Sequence, residues 1–220
     1  IPSSADEEAM VLLSDILPTG FECGVINGQI KPGSTVAIVG SGPIGLATLL
    51  TAQLFSPSQI IMIDIDDNRL VNALNLGATA AINSKNEKVT DVIMKLTAGK
   101  GVDTAIEAVG IPSTFELCTE IVTAGGVVAN VGVHGKCVDL HLETLWSKNI
   151  TITTRLVDTV TTPTLQKMVL TNKLKPKSLI THHFSLDDVE NAYQTFANAA
   201  AKKVLKVILT NHSIDDATSV

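Results

Sequence analysis

A glycine-rich hexapeptide, Gly40-Ser41-Gly42-Pro43-Ile44-Gly45, separates an apolar, β-branched run at residues 35–39 from a helix-forming apolar run at residues 46–54. A second apolar run, residues 60–63, ends on Asp64. Glycine at 40 permits a sharp exit from a strand, and glycine at 42 lets bare backbone come close to an anionic group. The amides that open the following helix are then donors for a pyrophosphate, and glycine at 45 lets that helix lie close to the sheet. Asp64 can accept hydrogen bonds from the two hydroxyls of an adenosine ribose, while its charge repels a phosphate there. The turn, with Pro43 and Ile44 inside it, and the acid together predict a site for a dinucleotide, NAD in preference to NADP. A tight strand-to-helix turn alone would explain Gly40 but leaves Asp64 without a purpose. No Lys-Ser/Thr pair follows the glycines, so the sequence lacks a triphosphate loop.

The elements that must carry these residues alternate strand and helix. Strands are predicted at residues 35–39, 59–64, 80–82, 102–107, 127–131 and 149–154, with helices at 43–55, 67–76, 87–96 and 112–122 between them. Such alternation predicts an α/β fold, a Rossmann-type doubly wound, six-stranded parallel sheet covering residues 31–154. Residues 1–30 precede it as connecting helices. Ser3 or Ser4 is a candidate cap for a first helix with Asp6, Glu7 and Glu8 in its opening turn, Pro18 is expected to interrupt, and a second short helix follows at 19–26. Residues 155–220 exceed what a six-stranded domain needs. They read as helix at 162–171, extended chain at 178–184, helix at 186–199, a closing strand at 204–209 and a polar, poorly ordered end from His212. The chain opens on Ile1, and its first residues look like a linker within a longer protein.

Composition narrows the function. With 220 residues, 45% apolar and 3% aromatic, the chain can bury a sizeable core, and its unbroken Val/Ile/Ala runs suit strands covered on both faces. The net charge of −6, without a Lys/Arg cluster, argues against a nucleic-acid partner. No apolar run reaches membrane-spanning length, so no membrane partner is expected. Cys23, Cys118 and Cys137 show no metal-knot or disulfide spacing, which suits a reducing, cytoplasmic setting.

Residues 35–46, Met62-Ile-Asp-Ile-Asp66, Gly101-Val-Asp-Thr-Ala-Ile-Glu-Ala-Val-Gly110, Gly126-Val-Val-Ala-Asn-Val-Gly132 and Leu179-Ile-Thr-His-His-Phe184 together resemble medium-chain, zinc-dependent alcohol dehydrogenases. The resemblance runs from about residue 7 to 209. In that family a catalytic domain comes first, a coenzyme domain follows, and the end of the chain returns to the catalytic domain, so the resemblance implies that residues 1–30 and 155–220 flank a catalytic domain this sequence largely lacks. Asp15 holds the place of the third ligand of the catalytic zinc, a Cys in many relatives and an Asp or Glu in secondary-alcohol dehydrogenases; the plainer alternative is a solvated helix-end carboxylate. Thr19 matches a position beside the nicotinamide and Ile44 one packing on the ring's far face. Val109, Val131, Gly132 and Val133 match contacts along the coenzyme, Arg69 a basic residue near the adenosine ribose, and Arg155 an arginine on coenzyme phosphate. The valines could equally be core and Arg69 an exposed helix charge.

The family's proton relay lies elsewhere, so His134 is expected to be a loop histidine and the chain to carry no catalytic residue of its own. His182 and His183, on opposite strand faces, are expected to be structural. The resemblance thus implies an NAD- and zinc-dependent oxidoreductase acting on an alcohol, with short secondary alcohols favoured, in a dimer or tetramer. Some relatives with an Asp15-like segment lack the acid at 64 and use NADP. Polyol or threonine dehydrogenases of the same superfamily, and a stand-alone NAD-binding module, are the alternatives; a zinc-free quinone reductase would have no use for Asp15.

Overall fold

The structure, a computed structural model, describes residues 5–211. Six parallel strands, β1 Thr35–Val39, β2 Gln59–Asp64, β3 Ala80–Asn83, β4 Val102–Glu107, β5 Val122–Asn130 and β6 Thr151–Thr154, lie in the order β3-β2-β1-β4-β5-β6. The helical segments are α1 Glu7–Val11, α2 Ile16–Pro18, α3 Pro43–Ala52, α4 Asp67–Asn75, α5 Val89–Leu96, α6 Pro112–Ile121, α7 Leu142–Leu145, α8 Thr162–Leu170, α9 Val189–Ala197 and α10 Ala199–Lys202. A separate parallel pair, β7 Ile180–Ser185 and β8 Lys206–Thr210, closes the chain. This is the doubly wound sheet expected.

Strand periodicity sorts the apolar side chains into two cores. Val36 and Ile38 of β1, with Ile60 and Met62 of β2, face α3 and the chain's two ends; Ala37, Val39, Ile61 and Ile63 face α5 and α6. The first core also takes in Leu13 and Leu17 from the front and Leu165, Leu179 and Leu205 from the tail. Thus both flanking segments bury apolar surface against the sheet's own helix. Val39 pairs with Ile63 on one side and Glu107 on the other, so the chain leaves β1, β2 and β4 at one point, where the strand order switches direction.

Several boundaries differ from expectation for identifiable reasons. The cap of α1 is Asp6, whose Oδ1 accepts from the Glu8 and Ala9 amides; Ser3 and Ser4 lie outside the described residues. Pro18 does not interrupt the front. The break comes at Asp15, with φ −151° and ψ −72°, where segments Glu7–Ser14 and Ile16–Ile26 meet at 58°. Pro18 then falls in the first turn of the next helix, where its missing N–H would have had no intrahelical partner. Residues 19–26 form a π-helix, Thr19–Ile26. Asn149, at φ 52°, cannot begin β6, which starts at Thr151. Pairing along β4 and β5 jumps from Val102–Val122 to Thr104–Val127, leaving residues 123–126, with Gly125 and Gly126, outside the ladder. The segment from His212 onward lies outside the described residues.

The π-helix and the turn after it carry glycines at 20, 24 and 28, and those in the helix decide how close it lies to its neighbours. A Cβ on Gly20 would sit 2.7 Å from the Thr48 amide nitrogen of α3, and one on Gly24 would sit 2.8 Å from the Thr48 methyl. At Gly28 the carbonyl accepts the Thr104 hydroxyl of β4 at 2.8 Å, fixing the far end of the helix. At the other end of the molecule, Lys177 bridges Asp6 at 2.9 Å and Glu8 at 3.0 Å, joining α1 to the tail.

Two outcomes follow. Gly20→Ala sets a methyl against backbone that cannot swing away, and urea denaturation should show a loss of about 1–3 kcal/mol. The Lys177 hydrogen bonds hold the Asp6 and Glu8 carboxyls below their ordinary values of 3.8 and 4.5. Stability from these bridges is therefore complete above those values and is lost as pH falls through the depressed ones. Because the ions are partly exposed the effect is modest. Thermal melts between pH 6 and 3 should show Lys177→Met losing less stability than the unsubstituted chain as the medium is acidified.

Candidate functional site

At the exit of β1, Gly40 adopts φ +105°, and its amide donates to the Ile63 carbonyl at 2.7 Å. An added Cβ there would lie 2.8 Å from Val109 and 3.0 Å from the Ala108 carbonyl oxygen. A Cβ on Gly45 would run into the Gly40 carbonyl oxygen, so the first turn of α3 rests directly on the strand exit. Gly42 is different in kind. It has φ −74° and ψ −177°, which any residue adopts, and a Cβ would meet nothing within 4 Å. The turn therefore needs glycine at 40 and 45 to close on itself, whereas glycine at 42 keeps open the space in front of the helix's free amides.

Asp64 is 8% exposed and ties this turn together. One carboxylate oxygen accepts from the Ser41 amide at 2.6 Å, and the other from the Ile65 and Asp66 amides at 2.7 and 3.0 Å. A carboxylate offers about four acceptor positions. The acid predicted to receive ribose hydroxyls thus also braces the glycine turn, and it keeps acceptor capacity to spare. Arg69 lies partly exposed on α4, and its guanidinium forms no ion pair among the described residues.

On the far side of the turn a cleft of about 670 Å³ opens along the carboxyl ends of β4, β5 and β6. It gathers most of the remaining predicted residues: Asp15 and Thr19 from the front, Ile44 from α3, Val109 after β4, Val131, Gly132 and Val133 after β5, and Arg155 after β6. Val133 is 91% exposed, which removes the core reading for that valine. The Thr19 hydroxyl donates to Asp15 Oδ1 at 3.0 Å, one helical turn apart. Gly40, Gly42, Pro43, Gly45, Asp64 and Arg69 do not line the cleft, so the predicted residues fall into two groups joined at the start of α3.

Arg155 reaches the cleft with its charge already engaged, Nη2 lying 2.6 Å from Asp158 Oδ2 and 3.7 Å from Glu22 Oε2. His134 lies in the loop after β5, as expected, and is tied there. Its Nε2 is 2.8 Å from Asn130 Oδ1 and 3.5 Å from Glu107 Oε2. Since the Asn130 amide nitrogen donates to the Gly132 carbonyl, Asn130 Oδ1 must accept, and His134 carries its proton on Nε2. His183 Nε2 meets Glu8 at 2.8 Å, while His182 pairs locally with the Thr181 hydroxyl, so the two serve separate structural ends.

Sequence reasoning passed over Glu107, Cys23, Asn130, Leu156 and Val157. Glu107 is wholly buried; one oxygen accepts from the Val109 and Gly110 amides and the Thr114 hydroxyl, shaping the turn that presents Val109. Its signal was an acid ending an apolar strand, the same pattern that singled out Asp64. Cys23 lies four residues beyond Thr19 on the same wall, and burial pushes its thiol up despite the opposing charge of Arg155. Leu156 and Val157 sit in chain without periodicity and gave no signal.

Residues 43–171, more than half of the sequence, match the family model described as zinc-binding dehydrogenase. The chain belongs to that family. Among zinc-binding dehydrogenases, it is 34% identical over 219 residues to an alcohol dehydrogenase of Cupriavidus necator, covering 96% of this chain and 58% of that protein. It is 30% identical to the NADP-dependent isopropanol dehydrogenase of Entamoeba histolytica, covering 98% of this chain and 61% of that protein. The solved apo structure of zinc-dependent alcohol dehydrogenase 2 from Streptococcus pneumonia superposes with a TM-score of 0.91 at 51% identity, over 96% of this chain and 61% of that one. The chain thus spans about three fifths of the length of these relatives.

Gly42→Ala separates binding from folding. Stability should stay within about 0.5 kcal/mol, because the methyl enters open space at an ordinary φ. Affinity for a ligand that brings a pyrophosphate to this helix start should fall about tenfold or more, because the methyl fills the approach to the helix amides. Thermal denaturation and calorimetric titration measure the two effects.

Proposed function

We propose that this chain is the NAD-holding part of an oxidoreductase that interconverts an alcohol with an aldehyde or ketone. The observation that carries the reading is the open approach at Gly42, with Asp64 one strand away and the cleft on the other side of the same helix start. NAD, when bound, supplies the hydride acceptor of such a reaction. Gly42, Ile44 and Gly45 would receive its pyrophosphate on backbone amides. Asp64 would accept from the adenosine ribose, and its charge opposes a phosphate at that place. Thr19, Ile44, Val109, Val131 and Val133 would enclose the reacting end and keep water from it. Arg155 would reach coenzyme phosphate only by loosening its hold on Asp158.

Zinc does not fit within the described residues, where no three His, Cys, Asp or Glu side chains gather around one point. Asp15 offers one carboxylate at the cleft and holds a single side-chain hydrogen bond, from Thr19. It would serve as one ligand of an ion whose other donors come from outside residues 5–211. No step is therefore assigned to the metal, and these residues alone are expected to bind coenzyme without turning over alcohol. Residues 1–30 and 155–220 would then dock a catalytic domain. The isopropanol-dehydrogenase relative and the Asp15 carboxylate both favour a short secondary alcohol.

Calorimetric titration with NADH and then NADPH tests the coenzyme. NADH should bind at least about tenfold more tightly, since a phosphate beside the Asp64 carboxylate meets a like charge. NADPH binding equally or more tightly would overturn the choice of NAD, and no binding of either would overturn the dinucleotide reading.

A further inference from the structure

Segment 155–161, between β6 and α8, supplies Arg155, Leu156 and Val157 to the cleft, yet residues 155–159 belong to neither helix nor strand. Leu156 is 86% exposed, so burial of its side chain does not fix the segment. What holds it is Glu22, a carboxylate with no exposure, on the π-helix beside the cleft-lining Cys23. Glu22 Oε1 accepts from the Thr161 amide at 2.9 Å and the Thr161 hydroxyl at 2.7 Å. Its Oε2 accepts from the Asp158 amide at 3.3 Å and lies 3.7 Å from Arg155 Nη2. The two Thr161 groups and the Asp158 amide all donate to it, so the carboxylate pins both ends of the segment as an acceptor, with the Asp158 carboxyl beside it.

We infer that Glu22 is a positioning residue that sets the Leu156 and Val157 wall of the cleft, and with it the room left for the nicotinamide end of the coenzyme. The inference rests on the dinucleotide reading given above. Glu22 joins two elements that each line the cleft: the π-helix, through Thr19 and Cys23, and the segment after β6. The π-helix is itself seated on α3 through Gly20 and Gly24, so its position is fixed and the segment is the part that is held. The glycine turn and Asp64 share no hydrogen bond with Glu22, so the adenosine part of the site is independent of it.

The test compares NADH, which spans both parts, with ADP, which occupies only the glycine turn and Asp64. Glu22→Gln keeps the shape of the side chain, but its amide nitrogen must face either the Thr161 donors or the Asp158 amide and Arg155. NADH affinity should drop about tenfold while ADP affinity stays within about twofold. Thr161→Val, which removes one donor and leaves the buried acid in place, should cost NADH about threefold and ADP nothing. Equal weakening of NADH and ADP would show a general folding role and overturn the inference, as would unchanged NADH binding in both variants. If Glu22→Gln does not fold, Thr161→Val decides on the same criteria. Failure of the unsubstituted chain to bind NADH would instead overturn the dinucleotide reading, and this inference with it.

Discussion

The central strand β1 is paired with β2 along its length and with β4 from Val36 onward, and its last residue, Val39, faces Ile63 and Glu107 at once. Three connections must therefore leave the sheet together, and two buried or nearly buried acids manage the crowding there. Asp64 takes the amides of the glycine turn and of the turn after β2, and Glu107 takes those after β4. Glu22, from the front of the chain, holds the segment after β6. Each satisfies backbone donors that would otherwise be unpaired away from water, at the place where ligands bind in folds of this kind. What remains unfilled is the space before Gly42 and the cleft beyond it.

This crowding explains why residues chosen for a functional reason also prove structural. Asp64 was singled out for its reach to a ribose, and the structure gives it three backbone amides first. The two roles are compatible, because bracing the turn fixes the carboxylate where a ribose would arrive. It also means that affinity lost on removing Asp64 would mix a disturbed turn with a lost contact, so discrimination between NADH and NADPH is the cleaner measure of its charge.

Much of the sheet was legible because its determinants are local: β-branched runs of strand length, glycine or proline at their ends, and helical apolar spacing between them. The glycine turn was legible because each glycine answers a separate steric demand, and Asp64 because an acid at the end of a buried strand needs a reason. Glu107 offered the same signal within a motif read only for its resemblance. The helix at 19–26 was legible but its π form was not, since those residues show no strong periodicity and their glycines gain meaning only when α3 lies against them. The break at Asp15 was placed three residues late because proline is the usual breaker, but within a first turn it is accommodated. Leu156 and Val157 entered the cleft through the long-range tie to Glu22, which no local pattern reveals.

Backbone amide shifts of isotope-labelled chain during NADH titration would test the central claim most directly. The account predicts perturbation of Ser41, Gly42, Ile44 and Gly45 at the start of α3, of Ile65 beside Asp64, and of Val131 through Val133 along the cleft, with β7 and β8 unmoved. Shifts confined to β7 and β8, or a spectrum unchanged by saturating NADH, would contradict it.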